Sequence, residues 1–316
     1  MKQQIHEERL KVPTVQGGHL FVRQLAPENP QGIVLLVHGL GNRGDLFLHE
    51  GHGLANFLSE MGFACLVPDL IGHGQSWPKR SRRMTHGIED IVTEDLPRLA
   101  TEARRLAKGK PVFLIGQGFG GVLLASAYTR IPAMRPDVAG MVHFGTRRSA
   151  KLGGVAHSPT LAVLRRRILP FIGQIKGEIP LNWLRQSLDA ETITLYREYL
   201  DWSESDWVGR NEDALFDYTT AAQSLDWPAS LYFARRNGGY DDHPADVREF
   251  MREIGTHNAR LMVLGKRDGN LRNYSPLSML QHDDAWVDHF PVVLDWMTER
   301  VRQIEPEGKV RHLVSV

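Results

Sequence analysis

Four glycines crowd the junction between an apolar run and a helical stretch near the middle of the chain. Val112-Phe113-Leu114-Ile115 leads directly into Gly116-Gln117-Gly118-Phe119-Gly120-Gly121, and the helical pattern of Val122 to Tyr128 follows at once. A chain that passes from strand to helix with no connecting loop must turn within a few residues. A continuous apolar strand is buried on both faces, and a strand answered by a helix is the repeating unit of a parallel sheet. This one segment commits the chain to an α/β architecture.

The flanking sequence extends the pattern. Leu10–Val15 and Leu20–Leu25 surround Gly17-Gly18 and read as a hairpin. Gly32–Val37, Phe63–Val67 and Val138–Phe144 read as buried strands. Between them, Leu54, Phe57, Leu58 and Met61 recur at helical spacing, and a longer helix is predicted over Ile88–Ala107. From about Thr146 to Leu225 strand-like runs vanish, while Trp183, Tyr196, Tyr199, Trp202 and Trp207 accumulate. The alternation then resumes with a strand at Ser230–Ala234, a helix at Ala245–Ile254 and a strand at Ala259–Leu264. A last helix at Trp286–Val301 carries Val287, Phe290, Val293, Leu294 and Met297 on one face. The expected organisation is one α/β core from residues 1–146 and 226–316, with a helical cap inserted at 147–225.

Composition narrows the function classes. The 316 residues are 42% hydrophobic and 24% charged with a formal net charge of +1, so the whole-chain field offers nothing to nucleic acid. The single Cys65 lies in an apolar strand, where a buried thiol is expected and no intramolecular disulfide can form. No apolar run reaches the roughly 18 residues that span a membrane, and Met1–Glu8 lacks the apolar segment of a signal peptide. The cytoplasm is the expected location. No cofactor motif and no metal-ligand spacing stands out.

Against this frame, Gly116-Gln117-Gly118-Phe119-Gly120 has the outline of a nucleophile elbow, G-x-S-x-G, with glycine where the serine belongs. His38-Gly39-Leu40-Gly41 resembles an H-G-x-G turn, and Asp69-Leu70-Ile71-Gly72-His73-Gly74-Gln75-Ser76 resembles a D-x-x-G-H-G-x-S loop. Together the three motifs resemble those of an α/β-hydrolase in the group of monoacylglycerol lipases, lysophospholipases and serine aminopeptidases. The likeness is close over roughly residues 30–145, looser over 227–300 and absent in the insertion. It implies an α/β-hydrolase fold: a mostly parallel sheet, helices on both faces and an inserted cap.

The resemblance also implies acyl-transfer chemistry, in which a serine attacks a carbonyl, a histidine takes its proton and a carboxylate orients the histidine. Gly118 stands at the nucleophile position and cannot form an acyl-enzyme. The oxyanion donors implied are the backbone N–H groups of Leu40 and Phe119, which do not depend on side-chain identity. For the acid, the family's P-x-L-L-x-x-G-x-x-D pattern places Asn237 at the aligned position. Asp241 and Asp242 follow closely enough to take the role in a rearranged loop; a solvated turn around Gly238-Gly239 is the other reading. Asp268 also sits in an acid-like turn and ranks behind them. For the base, the loop before the last helix offers His282, while His289 falls in the helical register. His73 is implied to be structural. The cap's aromatic residues read as core, and the run Arg165-Arg166-Arg167 beside Ile168–Ile172 reads either as a solvated face or as a surface resting on an anionic membrane.

Three functional readings follow. One is a serine ester hydrolase of lipase or lysophospholipase type acting on a hydrophobic acyl substrate, with its chemistry lost or supplied unconventionally. Another is a non-hydrolytic member binding a hydrophobic small molecule or a protein partner. In the third, His282 acts as a general base beside the oxyanion hole with no covalent step.

Overall fold

The computed structural model describes residues 4–149, 160, 163–184, 187–210, 215–236 and 242–304, and every structural statement below concerns those residues. An eight-stranded sheet runs through the molecule in the order β1-β2-β4-β3-β5-β6-β9-β10. Its strands are β1 (Ile5–Pro13), β2 (His19–Pro27), β3 (Ile33–Val37), β4 (Ala64–Asp69), β5 (Val112–Gln117), β6 (Val138–Phe144), β9 (Ser230–Arg235) and β10 (Ala259–Leu264). The β1–β2 and β2–β4 pairs are antiparallel, and all pairs from β4 to β10 are parallel. Successive residues of one strand serve opposite layers, as a pleated strand buried on both faces requires. Ile33, Leu35 and Val37 join the core on one face, with the helices Leu96–Ala107 and Phe119–Arg130. Val34 and Leu36 join the other, with the helices Leu54–Glu60 and Phe290–Ile304.

The inserted segment supplies the helices Leu169–Lys176, Ile193–Glu204 and Tyr218–Gln223. It also contains a short antiparallel pair, β7 (Val208–Arg210) and β8 (Leu215–Asp217), where no strand was expected. Three-residue strands are too short to show an alternating pattern. Tyr196, Tyr199, Trp202 and Trp207 pack as core, whereas Trp183 is exposed: Trp207 stacks on Tyr218 at 5.5 Å, and the Trp202 indole N–H donates to the Val208 carbonyl at 2.9 Å.

Other departures have local causes. The helix expected over Ile88–Ala107 contains a wide turn of π type at Ile91–Asp95, ending two residues before Pro97. Proline lacks an N–H for the ordinary i→i−4 bond, so the wider turn takes up the mismatch. The same arrangement recurs at Leu164–Ile168 before Pro170. Met61 and Val287 were assigned to buried faces but are exposed, because the helices Leu54–Glu60 and Phe290–Ile304 stop short of them. Cys65 is fully buried, and burial pushes its thiol pKa upward.

Candidate active-site cavity

The backbone at Gly118 has φ 53° and ψ −123°, between the end of β5 and the first residue of the helix Phe119–Arg130. Three neighbouring glycines make this turn sterically feasible. A Cβ on Gly116 would lie 2.3 Å from the Gly121 Cα, and one on Gly120 would lie 2.5 Å from the carbonyl oxygens of Val37 and His38. A Cβ on Gly121 would meet the Thr146 hydroxyl. At Gly118 itself a Cβ would meet nothing within 4 Å. The Gly118 N–H donates to the Phe144 carbonyl at 2.8 Å and ties the turn to β6.

Above the elbow lies a cavity of about 380 Å³, within the size range of small-molecule sites. Gly39, Leu40, Gln117, Gly118 and Phe119 form its base. Leu164, Leu169, Leu181, Tyr196 and Tyr199 of the cap form an apolar and aromatic wall. The H-G-x-G turn is fixed against the elbow, since the Gln117 side-chain oxygen accepts the Gly39 N–H at 2.9 Å. Asn42 connects the turn to the cap by accepting the Leu188 N–H at 3.1 Å. Leu40 and Phe119, the two residues assigned as oxyanion donors, thus stand at one cavity floor. Phe119 opens its helix, so its N–H has no acceptor within that helix.

Neither motif histidine reaches the cavity. His38 donates from Nδ1 to the Gly39 carbonyl and accepts the Leu70 N–H at Nε2, both at 3.0 Å. Burial, aided by the nearby His73, lowers its pKa to about 4, so the ring is neutral. His73 is different: Nδ1 faces the Ile71 carbonyl and Nε2 the Glu191 carboxylate, each at 3.2 Å. Burial opposes its charged form, but Glu191 outweighs burial and raises the pKa. Asp69 accepts the N–H groups of Gly44 at 2.7 Å and Gln75 at 2.8 Å, and Ser76 accepts the Phe21 N–H at 2.8 Å. Asp69 and Ser76 of the D-x-x-G-H-G-x-S loop are therefore occupied in holding backbone, and His73 in pairing with Glu191.

The remaining candidate residues for acid and base fare differently. Asn237 and Asp241 lie outside the described residues. Asp242 is buried and lines the cavity, but both its carboxylate oxygens lie 2.5 Å from the Arg235 Nε. Asp268 pairs with Arg236 at the surface side of the same loops. His282 does not line the cavity. It caps the short turn Asp283–Trp286, with Nδ1 accepting the Asp284 N–H at 3.0 Å, and its side chain is 34% exposed. His289 is buried away from the cavity as well. Its Nε2 donates to the Met279 carbonyl at 2.7 Å, its ring packs edge-on to Tyr274 at 4.8 Å, and burial lowers its pKa to about 4.

The loop between β10 and the last helix meets the cavity at Pro276 instead. Among the described residues no histidine lines this space. Pro276 drew no notice in the sequence because it carries no chemistry; only the loop order could have directed attention to it. Arg147, buried just past β6, and Arg165, in the cap, also line the cavity. Arg165 was legible only as part of a basic run.

Comparisons with known proteins place this geometry. The family model described as Serine aminopeptidase, S33, matches residues 28–212, more than half the chain. No curated protein matches the sequence. Among solved structures, a soluble variant of the Saccharomyces cerevisiae monoglyceride lipase, bound to a substrate analog, is similar with a TM-score of 0.63 at 15% identity. That likeness covers 96% of each chain. The Paleococcus ferrophilus monoacylglycerol lipase gives 0.56 at 16% identity, over 93% of this chain and 99% of that one. A thermophilic esterase from Thermogutta terrifontis gives 0.59 at 16% identity over the same shares. With the sheet order, the glycine-built elbow and the inserted cap all in agreement, the chain belongs to the serine aminopeptidase S33 family and has the α/β-hydrolase fold.

Proposed function

We propose that this protein binds a hydrophobic acyl-type ligand in the cavity beneath its cap and does not hydrolyse it through a serine acyl-enzyme. One observation carries the reading. Nucleophile, acid and base would come from three loops, and those loops present Gly118, an Asp242 held by Arg235, and Pro276 to the cavity. A covalent serine mechanism needs an oxygen and a base within about 3 Å of each other; among the described residues the serine that lines this cavity, Ser187, comes from the cap and not the elbow, and no histidine lines it. The floor residues Leu40 and Phe119 leave a notch for a carbonyl or carboxylate, and the Leu164, Leu169 and Leu181 side chains suit an alkyl tail. The lipases and esterases of similar fold act on such acyl groups, which supports the ligand class. The position of His282 speaks against its acting as a base on a ligand bound there.

The test is treatment with a fluorophosphonate probe followed by mass spectrometry of the intact protein. No covalent adduct is expected, whereas medium-chain acyl compounds should raise Tm. A probe adduct on a serine would defeat the reading. The same reading extends to peripheral contact with an anionic membrane. Ile168, Phe171, Ile175 and Trp183 are exposed on the cap beside Arg167 and Lys176, and the Lys176 Nζ lies 4.1 Å from the Trp183 ring centre. Co-sedimentation with vesicles containing phosphatidylserine, and not with purely zwitterionic ones, is the expected result. No helix among the described residues is long and apolar enough to cross a membrane.

A further inference from the structure

We infer that Gln117 is a specificity-determining residue of this cavity, donating a hydrogen bond from its side-chain amide to an oxygen of the ligand's head group; the inference rests on the acyl-binding reading above. The first observation is how the amide is held. Its oxygen accepts the Gly39 N–H at 2.9 Å, and a main-chain N–H can only donate, so Oε1 and not Nε2 faces the H-G-x-G turn. Asn42 agrees with this orientation. Its Oδ1 accepts the Leu188 N–H at 3.1 Å, which leaves its Nδ2 to face the Leu40 carbonyl at 3.2 Å and the Gln117 oxygen at 3.5 Å. The Gln117 Nε2 is therefore turned away from both donors, and among the described residues nothing accepts its two hydrogens.

The second observation is where the amide sits. Gln117 is 8% exposed and lines the cavity together with Gly39, Asn42 and Phe119. A Cβ on Gly39 would lie 2.8 Å from the Gln117 Oε1 and 3.1 Å from the Phe119 nitrogen, so the side-chain amide and the elbow N–H meet over the same glycine. A buried N–H left without an acceptor is costly, and a ligand oxygen placed against it removes that cost. A ligand that brings only hydrocarbon to this point leaves the cost in place. Gln117 thus serves two purposes with one side chain: Oε1 positions the turn, and Nε2 meets the ligand. The ligand class that fits is an acyl compound with a carbonyl-type acceptor oxygen at its head, and a head group without an acceptor is rejected.

The experiment follows the tryptophan fluorescence of the full-length chain during titration with nonan-2-one and with 2-methylnon-1-ene, in which a CH2 group replaces the ketone oxygen. Trp202 packs edge-on to Phe119 at 6.2 Å and reports on the cavity floor. Gln117→Glu keeps an oxygen for the Gly39 N–H but has no N–H to donate. Gln117→Met, of similar length and uncharged, removes both functions and keeps the test open where the new carboxylate is not tolerated. Each variant is read once its circular dichroism and Tm match the parent. Both should lose about tenfold in ketone affinity, and Gln117→Glu should leave the alkene's affinity unchanged. Parental ketone affinity in either folded variant would overturn the assignment while acyl binding stands. Equal losses of ketone and alkene in Gln117→Met, both restored in Gln117→Glu, would also overturn it, because Gln117 would then only position the turn. Binding of neither compound by the parent would defeat the acyl-binding reading and this inference with it.

Discussion

At the scale of single residues, the elbow separates two uses of glycine. Gly118 is present for its dihedrals: φ 53° with ψ −123° strains any residue bearing a Cβ, although there is open space for one. Such strain amounts to about 1–3 kcal/mol. Gly118→Ala should therefore lower the unfolding free energy by about 1–2 kcal/mol and leave the fold unchanged. Gly120 is present for approach, since its Cβ would press on the main-chain oxygens of Val37 and His38, which cannot move aside cheaply. Gly120→Ala should lose about 3 kcal/mol or more, or fail to fold. Denaturant titration of the two variants ranks them, and a Gly118→Ala variant as damaged as Gly120→Ala would contradict the distinction. Glycine content alone marked this turn in the sequence. Which glycine served which purpose depended on the packing of β3 and the elbow helix, which no local pattern encodes.

Among the elements, a buried ion pair joins cap and core. Glu191 of the cap takes the Gly41 N–H at 2.9 Å and the Thr192 N–H at 2.7 Å, and faces His73 at 3.2 Å. Burial opposes its charge, but His73 and then these N–H donors hold its pKa below the ordinary carboxylate value. Beside it, Arg80 binds both Glu178 and Asp189 at 2.8 Å. The pH dependence has a definite sign. His73 is raised above 6.5, so its contribution is complete below that pH and is lost as pH climbs through the folded-state value. Glu191 is lowered from 4.5, so its contribution is present above 4.5 and is lost as pH falls through the lowered value. His38 and His289 are lowered to about 4, so their burial stabilises above 6.5 and that stabilisation fades between 6.5 and 4. Glu191→Gln should lower stability by about 3–5 kcal/mol at pH 6.5, as expected for a buried charge left without its partner. It should also remove the alkaline decline in Tm that His73 produces. Melting curves from pH 5 to 9 test this; a variant that keeps the parent's alkaline slope would refute the role given to the pair. The resemblance implied a structural His73, but not its partner 118 residues away, because helical spacing in the cap says nothing about which loop of the core it meets.

Over the whole molecule, the parallel sheet was legible because each buried strand is a continuous apolar run, and the hairpin because Gly17 and Gly18 punctuate it. The cavity was legible at its floor, where backbone motifs build it. It was not legible at its rim, where loops of irregular length decide which side chain arrives. His282 has the right residue type in the right loop, yet that loop delivers Pro276 to the cavity and leaves His282 capping a turn. This difference allows the scaffold to be interrogated as a unit. Gly118→Ser alone should take up no fluorophosphonate, because a serine without a base stays protonated and weakly nucleophilic. Gly118→Ser combined with Pro276→His places both groups at one cavity, with the H-G-x-G turn already fixed by Gln117. Slow labelling at the new serine is expected. It should stay far below that of an intact triad, since Asp242 remains bound to Arg235 and an unoriented imidazole loses about 10⁴ in rate. Labelling of Gly118→Ser alone would mean that a base reaches the elbow after all, and His282 would regain its candidacy. A folded double variant that stays unlabelled would show that the loop from β10 to the last helix no longer aims position 276 at the elbow.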